Sequence, residues 1–198
     1  MEQTGKLPSG ERSQLTVGKI RLSILICHLE SRKKQIDDLE AVLNPQYHKG
    51  VTQIFIETDN GEMTIGAKRN KLLERATGDY VCFIDDDDMV PDYYVEEILK
   101  AIETGPDCVG FNGEIVSQEG KRDLVSYRMG ITKVDRDGQW FRAGIGHLSP
   151  VKREIALSAM FPEVNSAEDV EYAKLIQPKL KTQVVIDRFM YFYLQGNK

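Results

Sequence analysis

The segment "GDYVCFIDDDDMVPDYY", residues 78–94, joins an apolar run to four consecutive aspartates and a proline. The apolar run predicts a buried strand, and Pro91 predicts the start of a helix. Four adjacent carboxylates at the mouth of a buried strand repel one another and resist leaving water, so a folded domain keeps them only with a compensating partner. The nature of that partner determines what the segment does.

Composition predicts one soluble domain. The chain has 198 residues, 41% of them hydrophobic, which is enough for a proper core. Residues 1–18 are polar without periodicity and predict a flexible tail before a domain of residues 19–198. No apolar run has the length of a membrane span and no hydrophobic signal region precedes the domain, so we expect a cytoplasmic protein. The three cysteines, Cys27, Cys82 and Cys108, lie in apolar runs and predict buried thiols in a reducing compartment. A net charge of -5 gives no general attraction to nucleic acid.

Strand and helix patterns alternate through the first half of the chain. We predict strands at residues 20–27, 51–58 and 79–84, and helices at residues 31–44, 64–76 and 91–102, with Thr64 as an N-cap. This order predicts an open, mostly parallel α/β sheet with right-handed crossovers. Such sheets bind ligands at the carboxyl ends of their strands, where the aspartates lie.

The second half of the chain has a looser pattern. It predicts a strand at 106–116, hairpins and loops that cover a site at 117–150, helices at 151–160 and 167–177, and late strands at 182–186 and 189–194.

Alternation along an extended segment directs Asp85 and Asp87 to one side and Asp86 and Asp88 to the other. Two hard oxygen donors suit Mg²⁺ or Mn²⁺, with waters and substrate phosphates as the remaining ligands. Capping of the helix near Pro91 is an alternative that explains one or two of the four acids. A calcium loop is a weaker alternative, since its glycine position holds valine.

The segment "GEMTIGAKR", residues 61–69, approaches the phosphate-binding pattern G-x-x-x-x-G-K-[ST]. Its lysine is displaced by one residue, and Arg69 follows where a hydroxyl should bind magnesium. The chain also lacks a G-x-G-x-x-G fingerprint. Nucleoside triphosphatase and nicotinamide-dependent activities are therefore disfavoured.

The segment "IGAKRNKLLERATGDYVCFIDDDDMVPDYYVEEI", residues 65–98, resembles the central block of family 2 glycosyltransferases of the GT-A fold. Arg69 and Asn70 match the family's Arg-Asn pair, residues 78–80 match its Gly-Asp-Tyr turn, and Asp85 with Asp87 match its Asp-x-Asp (DXD) motif. The segment "SILICHLESR" and the later Glu-Asp pair extend the match loosely over residues 20 to about 193. The resemblance implies a single-domain, Rossmann-like three-layer sandwich.

The resemblance also implies metal-dependent transfer of a sugar, with inversion, from a nucleoside diphosphate donor that is UDP by family preference. Mg²⁺ or Mn²⁺ and the diphosphate would then neutralise the aspartates. By carry-over, Asp85 and Asp86 contribute to donor binding, and Asp87 with Asp88 binds the metal.

Further donor-binding positions follow from the same resemblance. They are Cys27 and Leu29 after the first strand, Glu57 and Asp59, which compete for the nucleoside-binding position after the second strand, and Arg69. Arg69 has an alternative role as a solvated or structural arginine.

Inversion requires a base that removes the proton of the acceptor hydroxyl. Asp169 matches the family's base, and Glu168 would orient the acceptor or its loop. The structural alternative is a capping box formed by Ser166 and Asp169. Trp140 would stack on a sugar or base, or anchor a loop. His147 would contact the metal, diphosphate or acceptor, or be a structural histidine.

The acceptor stays open in the sequence: a glycan, a lipid-linked compound, a protein side chain and a modified nucleobase are all compatible with these motifs. A nucleotidyltransferase that makes nucleotide-sugars is the enzymatic alternative, although "CHLESRKK" lacks the glycine-rich loop that it needs. A catalytically silent sugar-binding protein of the same fold is the non-enzymatic alternative.

Overall fold

The first predicted strand is the inner strand of one half of the sheet, where it pairs with a parallel neighbour on each side. The computed structural model describes residues 19–196, so the predicted tail of residues 1–18 lies outside the described residues. In chain order, the strands are β1 (Leu22–Leu29), β2 (Thr52–Asp59), β3 (Tyr80–Asp85), β4 (Cys108–Val116), β5 (Arg122–Arg128), β6 (Asp135–Asp137), β7 (Trp140–Gly144), β8 (Val151–Lys152) and β9 (Gln183–Leu194). The α-helices are α1 (Lys33–Leu43), α2 (Ile65–Arg75), α3 (Tyr94–Ala101), α4 (Arg153–Leu157) and α5 (Glu168–Ile176).

The strands form a mixed sheet in the order β2-β1-β3-β8-β4-β5-β7-β6, with β9 paired to β4. The half that carries the aspartates is parallel as predicted, since β1 runs parallel to both β2 and β3. Beyond β3, the short strand β8 is antiparallel to both β3 and β4 and joins the two halves. The single α/β domain is confirmed, and every antiparallel pair of named strands includes at least one strand from the second half of the chain.

Helices cover both faces of the sheet because side chains alternate along β1. Ile24 and Ile26 pack in one core with residues of α1 and α3, such as Leu39 and Ile98. Leu25 packs on the opposite face in a second core with residues of α2 and α5. The predicted three-layer architecture is therefore confirmed.

The structure confirms some of the predicted caps and element bounds and corrects others. Thr64 caps α2 as predicted, because its hydroxyl accepts the Ala67 N–H at 3.2 Å. Helix α3 begins at Tyr94 instead of Pro91, and no side-chain capping bond is made at its N-cap Tyr93, so the structure does not support the alternative in which the aspartates cap this helix. The two late strands are one strand, β9, whose register shifts against β4 accommodate the polar residues between the two apolar runs.

Helix α2 holds the segment of residues 161–169, which leads into α5. Asn70 forms two hydrogen bonds with the backbone of Phe161, at 2.7 and 2.9 Å. Gly66 lies so close to this segment that a Cβ on it would stand 1.8 Å from the carbonyl oxygen of Pro162. The absence of a side chain at residue 66 is therefore a condition for the close packing of α2 against the segment.

We predict that Gly66→Ala destabilises the protein by about 1–3 kcal/mol, because the added methyl group must displace backbone atoms of Pro162. Elsewhere in a helix the same change stabilises by up to about 1 kcal/mol. Urea unfolding of both proteins measures the difference. The matched control is Gly146→Ala, whose Cβ would meet Ala173 Cβ at 3.8 Å and should change stability by less than about 0.5 kcal/mol. Equal or greater stability of Gly66→Ala would contradict the packing argument.

Candidate functional site

The four aspartates do not alternate between two sides. Strand β3 ends at Asp85, and the chain turns there, with the Asp88 N–H donating to the Asp85 carbonyl at 3.1 Å. The expected alternation is therefore wrong, and the four side chains face different parts of the protein.

Asp85 is held by Arg69 of α2. Arg69 Nη2 donates to Asp85 Oδ1 at 2.9 Å, and its other terminal nitrogen, Nη1, donates to Glu168 Oε1 of α5 at 2.5 Å. Burial alone would raise the pKa of Asp85, but the Arg69 charge and then His147 outweigh burial and hold that pKa well below its usual range. Arg69 is itself buried and lies over the rings of Phe83 and Phe161, so one guanidinium joins β3 to α5.

Asp86 is buried and fully engaged by the last two residues of β1 and by Arg32 just after it. Its carboxylate contacts His28 Nδ1 at 2.8 Å, accepts the Leu29 N–H at 3.0 Å and accepts from Arg32 Nη1 at 2.7 Å. The same Arg32 nitrogen lies 3.2 Å from Asp87 Oδ2. Burial raises the pKa of Asp87, and the neighbouring carboxylates add to this rise against the opposing Arg32 charge.

Asp88 faces β9. It accepts hydrogen bonds from the Tyr191 hydroxyl and the Leu194 N–H, both at 2.8 Å. Burial raises the pKa of Asp88 to about 7, partly offset by the Leu194 N–H. The structure thus places this predicted metal ligand against the last strand, apart from Asp85 and Asp87.

A cleft of about 410 Å³, which we call the aspartate cleft, opens at the carboxyl ends of β1 and β3. Seven of the sequence-predicted residues line it: Cys27, Leu29, Arg69, Asp85, Asp86, Asp87 and Glu168. The other eight lining residues were not assigned a role from the sequence: Arg32, Gly61, Met63, Ile65, Lys68, Asn165, Tyr193 and Leu194. Lys68 lies one residue beyond the lysine position of the apparent phosphate-binding pattern in residues 61–69. That pattern is the one local signal that could have identified Lys68 as a residue of the cleft.

Lys68 is buried and connects the carboxyl ends of β1 and β2 at the edge of the aspartate cleft. Its ammonium group donates to the His28 carbonyl at 2.9 Å and pairs with Asp59. Asp59 also accepts the Gly61 and Met63 N–H groups, so it shapes the loop that lines the cleft without lining the cleft itself. Glu57 pairs with two cations of α2 and likewise stands outside the cleft.

A second cavity, of about 710 Å³, adjoins the first; we call it the apolar cavity. Asp85 and Tyr193 line both. The neighbouring residues Glu168 and Asp169 separate at the start of α5: Glu168 lines the aspartate cleft, and Asp169 lines the apolar cavity. The predicted base therefore lies in the cavity next to the one that holds the aspartates.

The start of α5 has an unusual backbone. Its N-cap, Ala167, has φ 62°, and it alone among the described non-glycine residues has a positive φ. No side chain caps this helix, so the alternative of a Ser166–Asp169 capping box is not supported. Asp169 Oδ1 instead accepts the N–H of Val170 at 2.8 Å. A left-handed alanine is costly and persists only where the surroundings impose it, and the Arg69–Glu168 pair is such a constraint.

Of the two predicted site residues Trp140 and His147, only His147 lines one of the two cavities. The Trp140 ring stacks on Phe189 with centroids 6.2 Å apart, and Trp140 lines neither cavity. His147 lines the apolar cavity; its buried Nε2 lies 3.6 Å from Asp85 Oδ2 and has no hydrogen-bond partner in the described residues.

Within residues 19–196, no group of three or more His, Cys, Asp or Glu side chains already has a metal-binding arrangement. Cys27, Cys82 and Cys108 are all buried free thiols, as predicted. Burial raises the pKa of each thiol to about 12, so none is a ready thiolate ligand. No helix in the described part of the chain is long and apolar enough to cross a membrane.

We predict that Asp88→Asn is stabilised relative to wild type as the pH rises. The raised Asp88 pKa means that folded wild type binds a proton more tightly than the unfolded chain, so this contribution is lost between the ordinary pKa of 3.8 and about 7. Asparagine cannot ionise and avoids this loss. The melting temperature of Asp88→Asn minus that of wild type, both measured in EDTA, should be more positive at about pH 8 than at about pH 5. The exposed control Asp38→Asn should follow wild type, and a pH-independent difference for Asp88→Asn would refute the assignment.

Comparison with known proteins identifies the family. The model of glycosyl transferase family 2 matches residues 36–157, more than half of the chain. No curated protein sequence matches.

Solved structures of TarS from S. aureus share the fold. The crystal structure of TarS 1–349 in complex with UDP-GlcNAc is 14% identical with a TM-score of 0.65, over 89% of this chain and 59% of that chain. The complex of TarS 1–349 with UDP is 16% identical with a TM-score of 0.64, over 88% of this chain and 60% of that chain. The chain thus spans about three fifths of the length of these structures, and the predicted GT-A fold is confirmed. The chain belongs to glycosyl transferase family 2.

Proposed function

We propose that this protein transfers a sugar, with inversion and with the aid of a divalent cation, from a UDP-sugar to an acceptor hydroxyl. The observation that carries the proposal is the junction of two cavities at Asp85 and Tyr193, one lined by aspartates and the other by Asp169. A donor in the first cavity would present its sugar to an acceptor in the second.

The aspartate cleft fits a nucleoside diphosphate. Leu29 and Met63 provide apolar surface for a base, and Arg32, the most exposed of the three cations that line the cleft, provides positive charge for phosphates. Asp59 and Lys68 would hold the base-binding loop in place through their ion pair and the backbone hydrogen bonds of Asp59. The fold shared with TarS, which has been crystallised with UDP and UDP-GlcNAc, favours a uridine nucleotide.

The residues that would hold the cation are Asp85, Asp87 and His147. Their two carboxylates and one imidazole nitrogen are a donor set that Mg²⁺ and Mn²⁺ accept. The orphaned Nε2 of His147, buried 3.6 Å from Asp85 Oδ2, supports this assignment, because a buried ring nitrogen without a partner is costly. A bound cation would stabilise the negative charge on the departing diphosphate. Asp88, engaged by Tyr191 and Leu194, would instead anchor the end of the aspartate run on β9.

Asp169 would act as the base. Its carboxylate takes the proton of the acceptor hydroxyl while the hydroxyl oxygen forms a bond to the anomeric carbon. The bond from that carbon to the diphosphate oxygen breaks, and its electron pair leaves with UDP. Glu168 would position the base indirectly, through its ion pair with Arg69.

The alternative activities have less support. A nucleotidyltransferase needs a glycine-rich loop after the first strand, and here β1 leads into a 3₁₀ helix at Glu30–Arg32 that contains no glycine. A silent sugar-binding protein would not need a carboxylate such as Asp169 in the second cavity, beside the junction.

The proposal predicts that UDP with Mn²⁺ raises the melting temperature more than GDP, CDP or ADP do. At a hundred times its dissociation constant, UDP adds about 2.7 kcal/mol of stability. The shift should disappear with EDTA or Asp87→Asn, because Asp87 lines the cleft, and persist in Asp38→Asn on the exposed face of α1. Asp169→Asn should keep the UDP-induced rise in melting temperature, because Asp169 acts only on the proton of the acceptor. The rate of sugar transfer should fall about 10²–10⁴-fold. Absence of a metal-dependent shift with every nucleotide would refute the proposal.

A further inference from the structure

We infer that the acceptor is a small alcohol whose hydroxyl is carried on an apolar body, such as an aromatic ring with a short hydrocarbon chain, and that this body fills the apolar cavity. The inference rests on the proposed function, because it names the class of molecule that receives the sugar. It narrows the acceptor classes that the sequence leaves open.

Apolar side chains from three parts of the fold form the walls of the cavity. Ile131 and Val134 come from the turn between β5 and β6, Ala143 comes from β7, and Val170 and Ala173 come from α5. Val134 is 61% exposed and Val170 is 49% exposed, although both are hydrophobic. A bound apolar body would remove this surface from water, which a sugar could do only poorly.

Two long polar side chains of the wall are engaged within the protein. Gln177 donates to the Ile145 carbonyl at 3.1 Å and accepts the Gly130 N–H at 3.4 Å. Lys174 pairs with Glu171 at 2.6 Å. Recognition of a glycan depends on many available hydrogen-bonding groups, and the apolar side chains of the wall offer none.

Available polar groups lie instead where the cavity meets the aspartate cleft. Tyr193 lines both cavities, Tyr127 and Asp169 line the apolar cavity, and the hydroxyls of Tyr127 and Tyr193 form no hydrogen bond within residues 19–196. A molecule with a hydroxyl at one end and an apolar body at the other matches a cavity that is polar near the aspartate cleft and apolar elsewhere. Its hydroxyl would lie by Asp169, and its body would point toward Val134 and Ala173.

The size of the cavity favours a small molecule. A volume of about 710 Å³ lies within the range of roughly 300–1,000 Å³ that is usual for sites of small ligands. The cavity shares the lining residues Asp85 and Tyr193 with the aspartate cleft, so its occupant would lie next to the donor sugar.

A series of 4-alkylphenols from methyl to hexyl tests the inference by titration calorimetry, with and without UDP and Mn²⁺. Affinity should rise about threefold to fourfold with each added methylene until the cavity is filled. Ala173→Phe, which adds a ring to the wall, should weaken hexylphenol binding at least tenfold. Val170→Asn is a second wall variant, and it should weaken hexylphenol binding several-fold. Because Val170 is exposed, this change should leave the fold intact. Ala41→Phe, which adds the same ring on the exposed face of α1, should bind like wild type.

Several results would overturn the inference: affinity independent of chain length, wall variants that bind hexylphenol like Ala41→Phe, or tighter binding of a maltose oligosaccharide than of hexylphenol. UDP binding by all variants should stay within about twofold of wild type. UDP binding without alkylphenol binding would contradict only this inference. Alkylphenol binding without UDP binding would contradict the proposed function and leave the apolar ligand class supported.

Discussion

The guanidinium of Arg69 is the charge on which the arrangement of the site depends. Arg69 is only 4% exposed, and a buried cation requires compensating partners. Its two terminal nitrogens bind Asp85 at the end of β3 and Glu168 at the start of α5. Since Glu168 is fixed in this way, the next residue, Asp169, is directed into the apolar cavity. One buried side chain therefore aligns the predicted base with the carboxylate that borders both cavities.

Closely spaced residues of α2 serve different parts of the site. Gly66 permits the close approach of Pro162, Lys68 ties the end of β1 to Asp59, and Asn70 fixes the backbone of Phe161. Because 3.6 residues make a helical turn, neighbouring positions point in different directions and can reach separate elements. The short sequence "GAKRN" thus places both the wall of the aspartate cleft and the segment that carries the base.

Local patterns in the sequence predicted the helices, the parallel half of the sheet and the Thr64 cap, because these depend on neighbours within a few residues. The partners of the aspartates could not be predicted in this way. His28 is 58 residues from Asp86, and Leu194 is 106 residues from Asp88. A cation and diphosphate were the expected compensation for the cluster, whereas the protein itself supplies arginines, a histidine and a tyrosine. Trp140 could not be placed either, since its stacking on Phe189 depends on the distant strand β9.

A double-mutant cycle between Asp85→Asn and Glu168→Gln tests most directly whether one guanidinium joins the two sides of the site. Each single change leaves Arg69 with one carboxylate, while the double change leaves a buried cation with none. Urea unfolding should therefore show a loss of stability in the double variant that exceeds the sum of the single losses by at least about 0.5 kcal/mol. Losses that add to within about 0.3 kcal/mol would show that the two carboxylates act independently and would contradict the account.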